Sequence, residues 1–336
     1  MNILITGGNG YIGSMLIQKI LKAASKFDND LYTLGPDIIT HRIKLDNLYV
    51  IDNLYYNQTN LVEHCYRNNF HYIYGDVRDK NLLYEYINKA DVIIPLAAIV
   101  GFPACKRNKE LCTQINYEQI KFITENCSPD QSIIFPNTNS GYGIGNSSNF
   151  CTELSPLNPI SHYGITKCNA ENKVLNFDGK KVILRLATVF GASTRMRLDL
   201  LVNDFVYKAL TDGYLVLFEK DFNRNYIHIQ DVALTFIYAI NKLLNINTEF
   251  PIYNVGLSSA NLTKMELAEK IKQYIPNLVI KIEEFKKDPD QRNYIVSNEK
   301  LEKTGWKPFY SIDDGIQELI KAYKIIIPNN RQFTNL

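Results

Sequence analysis

The chain has 336 residues, 46% of them apolar, 12% aromatic and 21% charged, with 17 glycines and 12 prolines. That length and balance exclude a disordered, collagen-like or coiled-coil chain and predict a globular protein of about two domains. With 37 Lys and Arg against 35 Asp and Glu the formal charge is +2, and like charges do not cluster, so nucleic acid and anionic membrane surfaces are not expected partners, whereas a small-molecule substrate is.

The first residues carry no basic leader, and the longest apolar run, 92–100, contains Pro95; residence in the cytoplasm without membrane contact is expected. Six cysteines without a Cys-x-x-Cys pair predict reduced thiols. His41, His64, His71, His162 and His228 lack the spacing of a zinc motif, and no metal is expected.

Residues 2–6 read as a short buried strand, glycines follow, and residues 11–22 carry apolar side chains at helical spacing. Apolar runs at 48–51, 71–74, 92–96, 132–135 and 182–186 read as further strands, and helical patterns separate most of them. This alternation predicts an α/β fold, a Rossmann-type doubly wound parallel sheet. After Gly191 the rhythm breaks: 195–210 reads as a helix, 215–218 and 226–229 as strands, and 231–244 as a helix. Thr263 and Glu266 have the spacing of a capping box. Gly305, Trp306 and Pro308 end a short helix, and 312–323 reads as the last one. The expected division is a sheet domain at 1–192 with a return segment at 226–258, and a smaller C-terminal α/β lobe at 193–225 and 259–336.

Gly7-Gly8-Asn9-Gly10-Tyr11-Ile12-Gly13 satisfies both G-x-x-G-x-x-G and G-x-G-x-x-G, directly between strand and helix. Glycines there let the backbone turn tightly and approach a pyrophosphate, whose charge the helix N-terminus stabilises. No Gly-Lys-Ser/Thr follows, which disfavours a phosphate-loop ATPase. Asp52 ends the second strand, where a carboxylate accepts the adenosine ribose hydroxyls and repels a 2′-phosphate; NAD is therefore expected over NADP. Asp52 lies 39 residues past Gly13, against a usual interval of about 20. Residues 27–46 therefore read as a surface insertion, with a hairpin formed by 31–34 and 38–43.

Tyr163 and Lys167 stand four apart in a helical pattern that begins near Ser161, which places them on one helix face. A Tyr-x-x-x-Lys pair alone is a frequent surface coincidence. Here it follows the glycine motif and a strand running into Thr138-Asn139-Ser140-Gly141-Tyr142-Gly143. At this point the sequence resembles the extended short-chain dehydrogenase/reductase family, the NAD-dependent sugar-nucleotide epimerases and dehydratases. The resemblance runs through GGNGYIG, Val50-Ile51-Asp52-Asn53, Gly75-Asp76-Val77, Leu96-Ala97-Ala98, Thr138 with Tyr163 and Lys167, Arg185 with Val189-Phe190-Gly191, residues 225–231 and Tyr253-Asn254-Val255-Gly256. Pro95 stands where the family commonly has histidine, and Pro136 is unusual before the catalytic turn.

The resemblance implies that Thr138 and Tyr163 contact the sugar hydroxyl and that Lys167 holds the nicotinamide ribose. It places Gly7, Gly10, Tyr11, Ile12, Gly13, Asp52, Asn53, Leu96, Ala97, Ala98 and Val189 at the cofactor, with Asp76 and Val77 flanking adenine. It makes the second lobe a nucleotide-sugar lobe in which Arg195, Arg197, Asn203, Arg224 and Arg292, with Asp290 nearby, grip a nucleoside diphosphate, and it sets Asn139 and Ser140 against the substrate. Within the family, NTNSGYGIG, RLATVFG, RMRLDLLVNDF and GLSSANLTK are most similar to bacterial enzymes that oxidise C4 of GDP-D-glycero-D-manno-heptose in capsular polysaccharide biosynthesis. A homodimer paired through helices at 108–126 and 161–176 is implied as well.

The chemistry is consistent with elementary acidity. A tyrosine of reference pKa about 10 must ionise near neutrality to take a proton from a sugar hydroxyl. A neighbouring lysine ammonium and a positively charged nicotinamide favour the phenolate. In the family the chain resembles, a 4,6-dehydratase carries an Asp-Glu acid–base pair after the threonine, and Asn139-Ser140 supplies neither acid nor base. The expected activity is oxidation at C4. A 4-epimerase and a non-catalytic NAD-binding regulator on the same fold are the alternatives.

Overall fold

A computed structural model of the chain describes residues 1–24, 42–145, 149–283 and 291–327. In chain order the first elements are β1 (Asn2–Thr6), α1 (Tyr11–Ala23), β2 (Asn47–Asp52), β3 (Phe70–Tyr74), α2 (Lys80–Ile87), β4 (Val92–Pro95), α3 (Phe102–Arg107), α4 (Lys109–Thr113), α5 (Gln119–Asn126) and β5 (Ser132–Thr138). There follow α6 (His162–Leu175), β6 (Lys180–Leu186), β7 (Thr188–Phe190), α7 (Leu201–Thr211), β8 (Tyr214–Phe218), β9 (Asn223–His228) and α8 (Ile229–Asn241). The last are β10 (Ile252–Val255), β11 (Asn261–Thr263), α9 (Lys264–Tyr274), β12 (Val279–Glu283), α10 (Glu299–Glu302) and α11 (Ile312–Ile326).

Seven strands form one sheet in the order β10-β6-β5-β4-β1-β2-β3. β1 pairs in parallel with β2 and β4, β2 with β3, and β4 with β5. Helices between the strands make this the Rossmann-like doubly wound α/β fold expected from the sequence. A parallel sheet covered on both faces buries its central strands, which is why they read as unbroken apolar runs. Ile3, Leu4 and Ile5 of β1, and Ile93 and Ile94 of β4, are all 0% exposed. The strand order reverses between β1 and β4, the position where open α/β sheets leave a crevice at the strand C-termini.

The chain packs as two compact units. The first comprises Met1–Asn137, Ser161–Arg185 and Ala233–Tyr253. The second comprises Thr138–Ile160, Leu186–Val232 and Asn254–Leu336. Packing thus groups 138–160, and residues 186–192, with the second unit. That unit holds a three-stranded sheet of order β11-β9-β7 and a parallel pair, β8 with β12. Two of its later helices start as their sequences dictate. Thr263 and Glu266 close a capping box at α9, and Ser311 and Asp314 close another at α11.

One helical expectation needs correction, and another is borne out with a π-helical turn inside it. The helix read over 195–210 begins only at Leu201. Arg197 and Asp199, two residues apart, are bound to one another side chain to side chain, and Leu200 is extended, so the first turn cannot form earlier. The helix read over 108–126 is α4 and α5 joined by a π-helical turn at Gln114–Glu118. Residues 27–41 of the insertion lie outside the described residues, as does Asp290. The described remainder, 42–46, forms no strand, and Ile43 is buried with its N–H bonded to the Ala23 carbonyl. Among the described residues no helix is long and apolar enough to cross a membrane.

Candidate active site

In the first unit, β1 runs through the glycines into α1. Gly7 has φ +73, and a Cβ there would lie 2.6 Å from the Ala97 backbone nitrogen. A Cβ on Gly13 would meet the Gly7 and Gly8 carbonyl oxygens at 2.5 and 2.7 Å. The turn is therefore closed on its own backbone as only glycine allows. Gly10 is the N-cap of α1 without a side-chain cap, and no acid occupies the first turn formed by Tyr11, Ile12 and Gly13. The helix end thus presents partial positive charge and backbone donors suited to an anion.

Gly7 and Gly10 border a cleft of about 680 Å³ whose other walls include Asp52 and Asn53 after β2, Val77, and Leu96, Ala97 and Ala98 after β4. Asp52 is set by its backbone neighbours. Its Oδ2 accepts the Asn9 N–H at 2.9 Å and its Oδ1 the Leu54 N–H at 2.8 Å. Neither Lys nor Arg occurs among the described residues that line the cleft. Asp76 is gripped by both arms of the Arg78 guanidinium at 2.9 Å and by Asn53 Nδ2 at 3.0 Å. The Arg78 hydrogen bonds hold its carboxyl down at about 2, against a smaller opposing effect of burial. Burial, with Asp52 nearby, pushes the Tyr72 hydroxyl up to about 12. A glycine cradle, an uncapped helix end and an oriented carboxylate fit a dinucleotide, and the uncharged remainder of the wall fits one without a 2′-phosphate.

The first unit also holds α6, started by the Ser161 hydroxyl accepting the Gly164 N–H at 3.1 Å. Tyr163 and Lys167 lie one turn apart on this helix. Lys167 is 5% exposed, with Nζ 4.1 Å from the centroid of the Phe135 ring. Burial lowers its pKa to about 7, opposed chiefly by the charge of Glu171. Glu171 is itself bound on both oxygens, to Arg185 Nη2 at 2.5 Å and to Arg185 Nε at 3.0 Å, and to Asn137 Nδ2 at 2.5 Å.

Thr138, Asn139 and Ser140 belong to the second unit. The Thr138 hydroxyl donates to Ser140 Oγ at 2.9 Å and accepts the Ser140 N–H at 3.1 Å. Arg292 Nη1 donates to the same Ser140 oxygen, and Arg224 Nη1 donates to the Arg292 carbonyl. The Arg224 guanidinium lies 5.6 Å from the Tyr294 ring centroid. The structure thus strings Thr138, Ser140, Arg292 and Arg224 together. Arg195 is 1% exposed and donates to the Met196 carbonyl. Arg197 is forked onto Asp199 at 3.1 and 2.5 Å. The Asn203 amide accepts the Gly191 N–H at 3.0 Å and donates to the Arg197 carbonyl at 2.9 Å. Asn139 is 1% exposed, and neither polar atom of its amide has a hydrogen-bond partner. Val189 lies in β7 of this unit.

The model described as the NAD dependent epimerase/dehydratase family matches residues 3–256. The chain belongs to this family. It is an enzyme of the epimerase/dehydratase class, acting on sugar nucleotides with NAD as cofactor. One family relative is the low-salt glycan biosynthesis protein Agl12 of Haloferax volcanii, 27% identical over 96% of this chain and 98% of that protein. Another is a putative UDP-glucose 4-epimerase of Methanocaldococcus jannaschii, 24% identical over 98% of this chain and 99% of that one. Among solved structures, the dTDP-glucose 4,6-dehydratase DesIV of Streptomyces venezuelae, with NAD and TYD bound, matches with a TM-score of 0.78. It is 23% identical and covers 100% of this chain and 99% of its own. Likeness at that identity carries the fold.

Sequence reasoning used Arg185 only as part of a motif and did not single out Glu171 or Asn137. The available signal was Glu171 standing four residues past Lys167 on a helix, the spacing at which side chains share a face. Its partners, Asn137 on β5 and Arg185 on β6, come from sheet strands and leave no local pattern.

Proposed function

We propose that this enzyme oxidises the C4 hydroxyl of a nucleotide-diphospho-sugar to a 4-keto sugar, with GDP-D-glycero-D-manno-heptose of capsular polysaccharide biosynthesis as the favoured substrate. The single observation that carries the C4 chemistry is the turn after Thr138. Where elimination of a C6 hydroxyl needs a carboxylic acid and a carboxylate base, the chain places the Asn139 amide, buried and unpartnered, and the Ser140 hydroxyl, held by Thr138 and Arg292. Neither side chain performs that acid–base work. The preference for a GDP-linked manno-heptose rests on the resemblance of the motif stretches alone.

In this reading Tyr163 takes the C4 hydroxyl proton while Thr138 holds the sugar oxygen by hydrogen bond. The Lys167 ammonium favours the Tyr163 phenolate and donates to the nicotinamide ribose. Gly7, Gly10, Tyr11, Ile12 and Gly13 cradle the pyrophosphate, Asp52 and Asn53 take the adenosine ribose, Asp76 and Val77 flank adenine, and Leu96, Ala97, Ala98 and Val189 complete the contact. Bound NAD supplies the hydride acceptor. Arg195, Arg224 and Arg292 take the substrate diphosphate, since forked donors match its oxygens. With its amide committed to Gly191 and to the Arg197 carbonyl, Asn203 acts by bracing Arg197.

Relatives named as UDP-glucose 4-epimerases along nearly their whole lengths favour a second reading, in which the ketone stays bound and is reduced on its other face. Incubation with NAD and GDP-, UDP-, CDP- and dTDP-sugars in D₂O, followed by NMR, decides between them. A C4 ketone without deuterium at C5 is the expected product. A C4-inverted alcohol selects the epimerase, and a 6-deoxy product overturns both. Cytoplasmic residence and a homodimer built on residues 108–126 and 161–176 belong to the same proposal. Light scattering at low concentration that finds only a 38.6 kDa species contradicts the dimer.

A further inference from the structure

An ammonium withdrawn from water as fully as that of Lys167 loses its hydration, and the neutral amine becomes the favoured form unless a nearby charge compensates. The Phe135 ring face under Nζ compensates in part. The acidic groups that act on Lys167 are Glu171 and Cys168 on its own helix and Cys112 on α4. Burial pushes the Cys168 thiol up to about 11, so it carries no charge near neutrality. Cys112 is a buried thiol packed on Cys105, Asn116 and Thr166, and the Cys105 hydrogen bond draws its pKa down against the effect of burial. Glu171 is the one carboxylate in this set and the strongest influence after burial.

Glu171 is held on both of its oxygens. Its side chain is 2% exposed and that of Arg185 4%. Three N–H groups converge on its two oxygens, two from the Arg185 fork on β6 and one from the Asn137 amide on β5. Donors to a carboxylate favour its charged form. Arg185 and Glu171 cancel, so Lys167 is the net charge of the cluster, and Glu171 faces it from one turn along α6.

We propose that Glu171 is a positioning residue for Lys167: held in place by Arg185 and Asn137, it is the counter-charge that keeps the Lys167 ammonium protonated in its buried site. The inference rests on the proposed role of Lys167 beside Tyr163. If Lys167 must be charged for turnover, Glu171 sets the pH above which activity is lost. Neutralising Glu171 leaves two cations, Lys167 and Arg185, in one buried cluster. Neutralising Arg185 instead gives Glu171 wholly to Lys167.

The test compares the wild type with Glu171→Gln, Glu171→Asp and Arg185→Gln in the NAD-loaded enzyme. One readout is the basic limb of the kcat–pH profile. The other is the Lys167 titration followed by NMR of protein labelled at the lysine Cε. In Glu171→Gln both midpoints fall by roughly one pH unit or more, the effect of losing a close opposite charge. In Glu171→Asp they stay near the wild-type values, and in Arg185→Gln they rise. A folded Glu171→Gln with lower kcat but unmoved midpoints, or midpoints that shift the same way in Glu171→Gln and Arg185→Gln, overturns the proposal. If Glu171→Gln does not fold, Arg185→Gln decides alone: a rise supports the counter-charge, and a fall or no movement overturns it. Should the NMR midpoint move while the kcat limb stays put, the counter-charge stands and the catalytic reading of Lys167 fails.

Discussion

The glycine-bordered cleft of the first unit and the arginine cluster of the second are made of different material. The cleft is shaped by backbone: Gly7 at φ +73, an uncapped α1 terminus, and an Asp52 carboxylate aimed by two main-chain N–H groups. The cluster is shaped by long side chains from distant segments, Arg224 and Arg292, tied to a carbonyl and to the Ser140 hydroxyl. Backbone recognition cannot be retuned without moving the fold. Side-chain recognition can change residue by residue.

The largest expected effect separates chemistry from binding within the first unit. Tyr163→Phe removes only the ionisable oxygen, so kcat falls by about 10²–10⁴ while NAD affinity by calorimetry holds. Retention of full turnover would sink the role given to Tyr163 and leave the first unit a binding module alone.

Next comes the pH dependence of stability conferred by Lys167. Its folded pKa lies near 7, below the ordinary lysine value of 10.5. Between these values the unfolded chain binds a proton that the folded one does not, so stability rises with pH through that window. Below pH 7 the penalty is constant. The rise from this group is about 1.4 kcal/mol per pH unit. Denaturant unfolding of the cofactor-free protein from pH 7 to 10 should show the wild type gaining on Lys167→Met at that order, and parallel curves contradict the burial-driven shift.

Arg292→Ala probes the other region. Losing charged hydrogen bonds to a diphosphate costs roughly 1.5–3 kcal/mol, which raises the KM for the nucleotide sugar about 10- to 100-fold. The Kd for NAD stays unchanged if the two regions recognise different ligands. A matching loss of NAD affinity would erase the contrast between them.

The same contrast explains what could be read from the sequence. Backbone-built features have local signatures. The glycine spacing, the apolar runs of two-face-buried strands and the Thr263–Glu266 box all lie within a few residues of themselves, and each appears in the structure where expected. Side-chain constellations have no such signature. Glu171 meets Asn137 and Arg185 through the packing of α6 on the sheet, and β12 pairs with β8 across the intervening α9. Apolar spacing places the helix start at 195 because it does not register that Arg197 and Asp199 pair off ahead of an extended Leu200. Tyr163 and Lys167 fall between these cases, since helical spacing placed them on one face but only tertiary burial gives Lys167 its depressed pKa.

The smallest expected effect tests whether backbone alone suffices in the cleft. Asp52→Ala deletes the acceptor for the ribose hydroxyls and also releases the Asn9 and Leu54 N–H groups that Asp52 now holds. One or two hydrogen bonds to a charged acceptor are lost, but the glycine turn and helix terminus remain, so NAD binding weakens by about tenfold rather than disappearing. Removal of the carboxylate also lifts its repulsion of a 2′-phosphate. Yet none of the described residues that line the cleft is Lys or Arg, so nothing there would bind that phosphate. Calorimetry should therefore find NADP no tighter in the variant than NAD. A switch to NADP would mean that a cation reaches the ribose end of the cleft, and that side chains rather than backbone decide the cofactor here too.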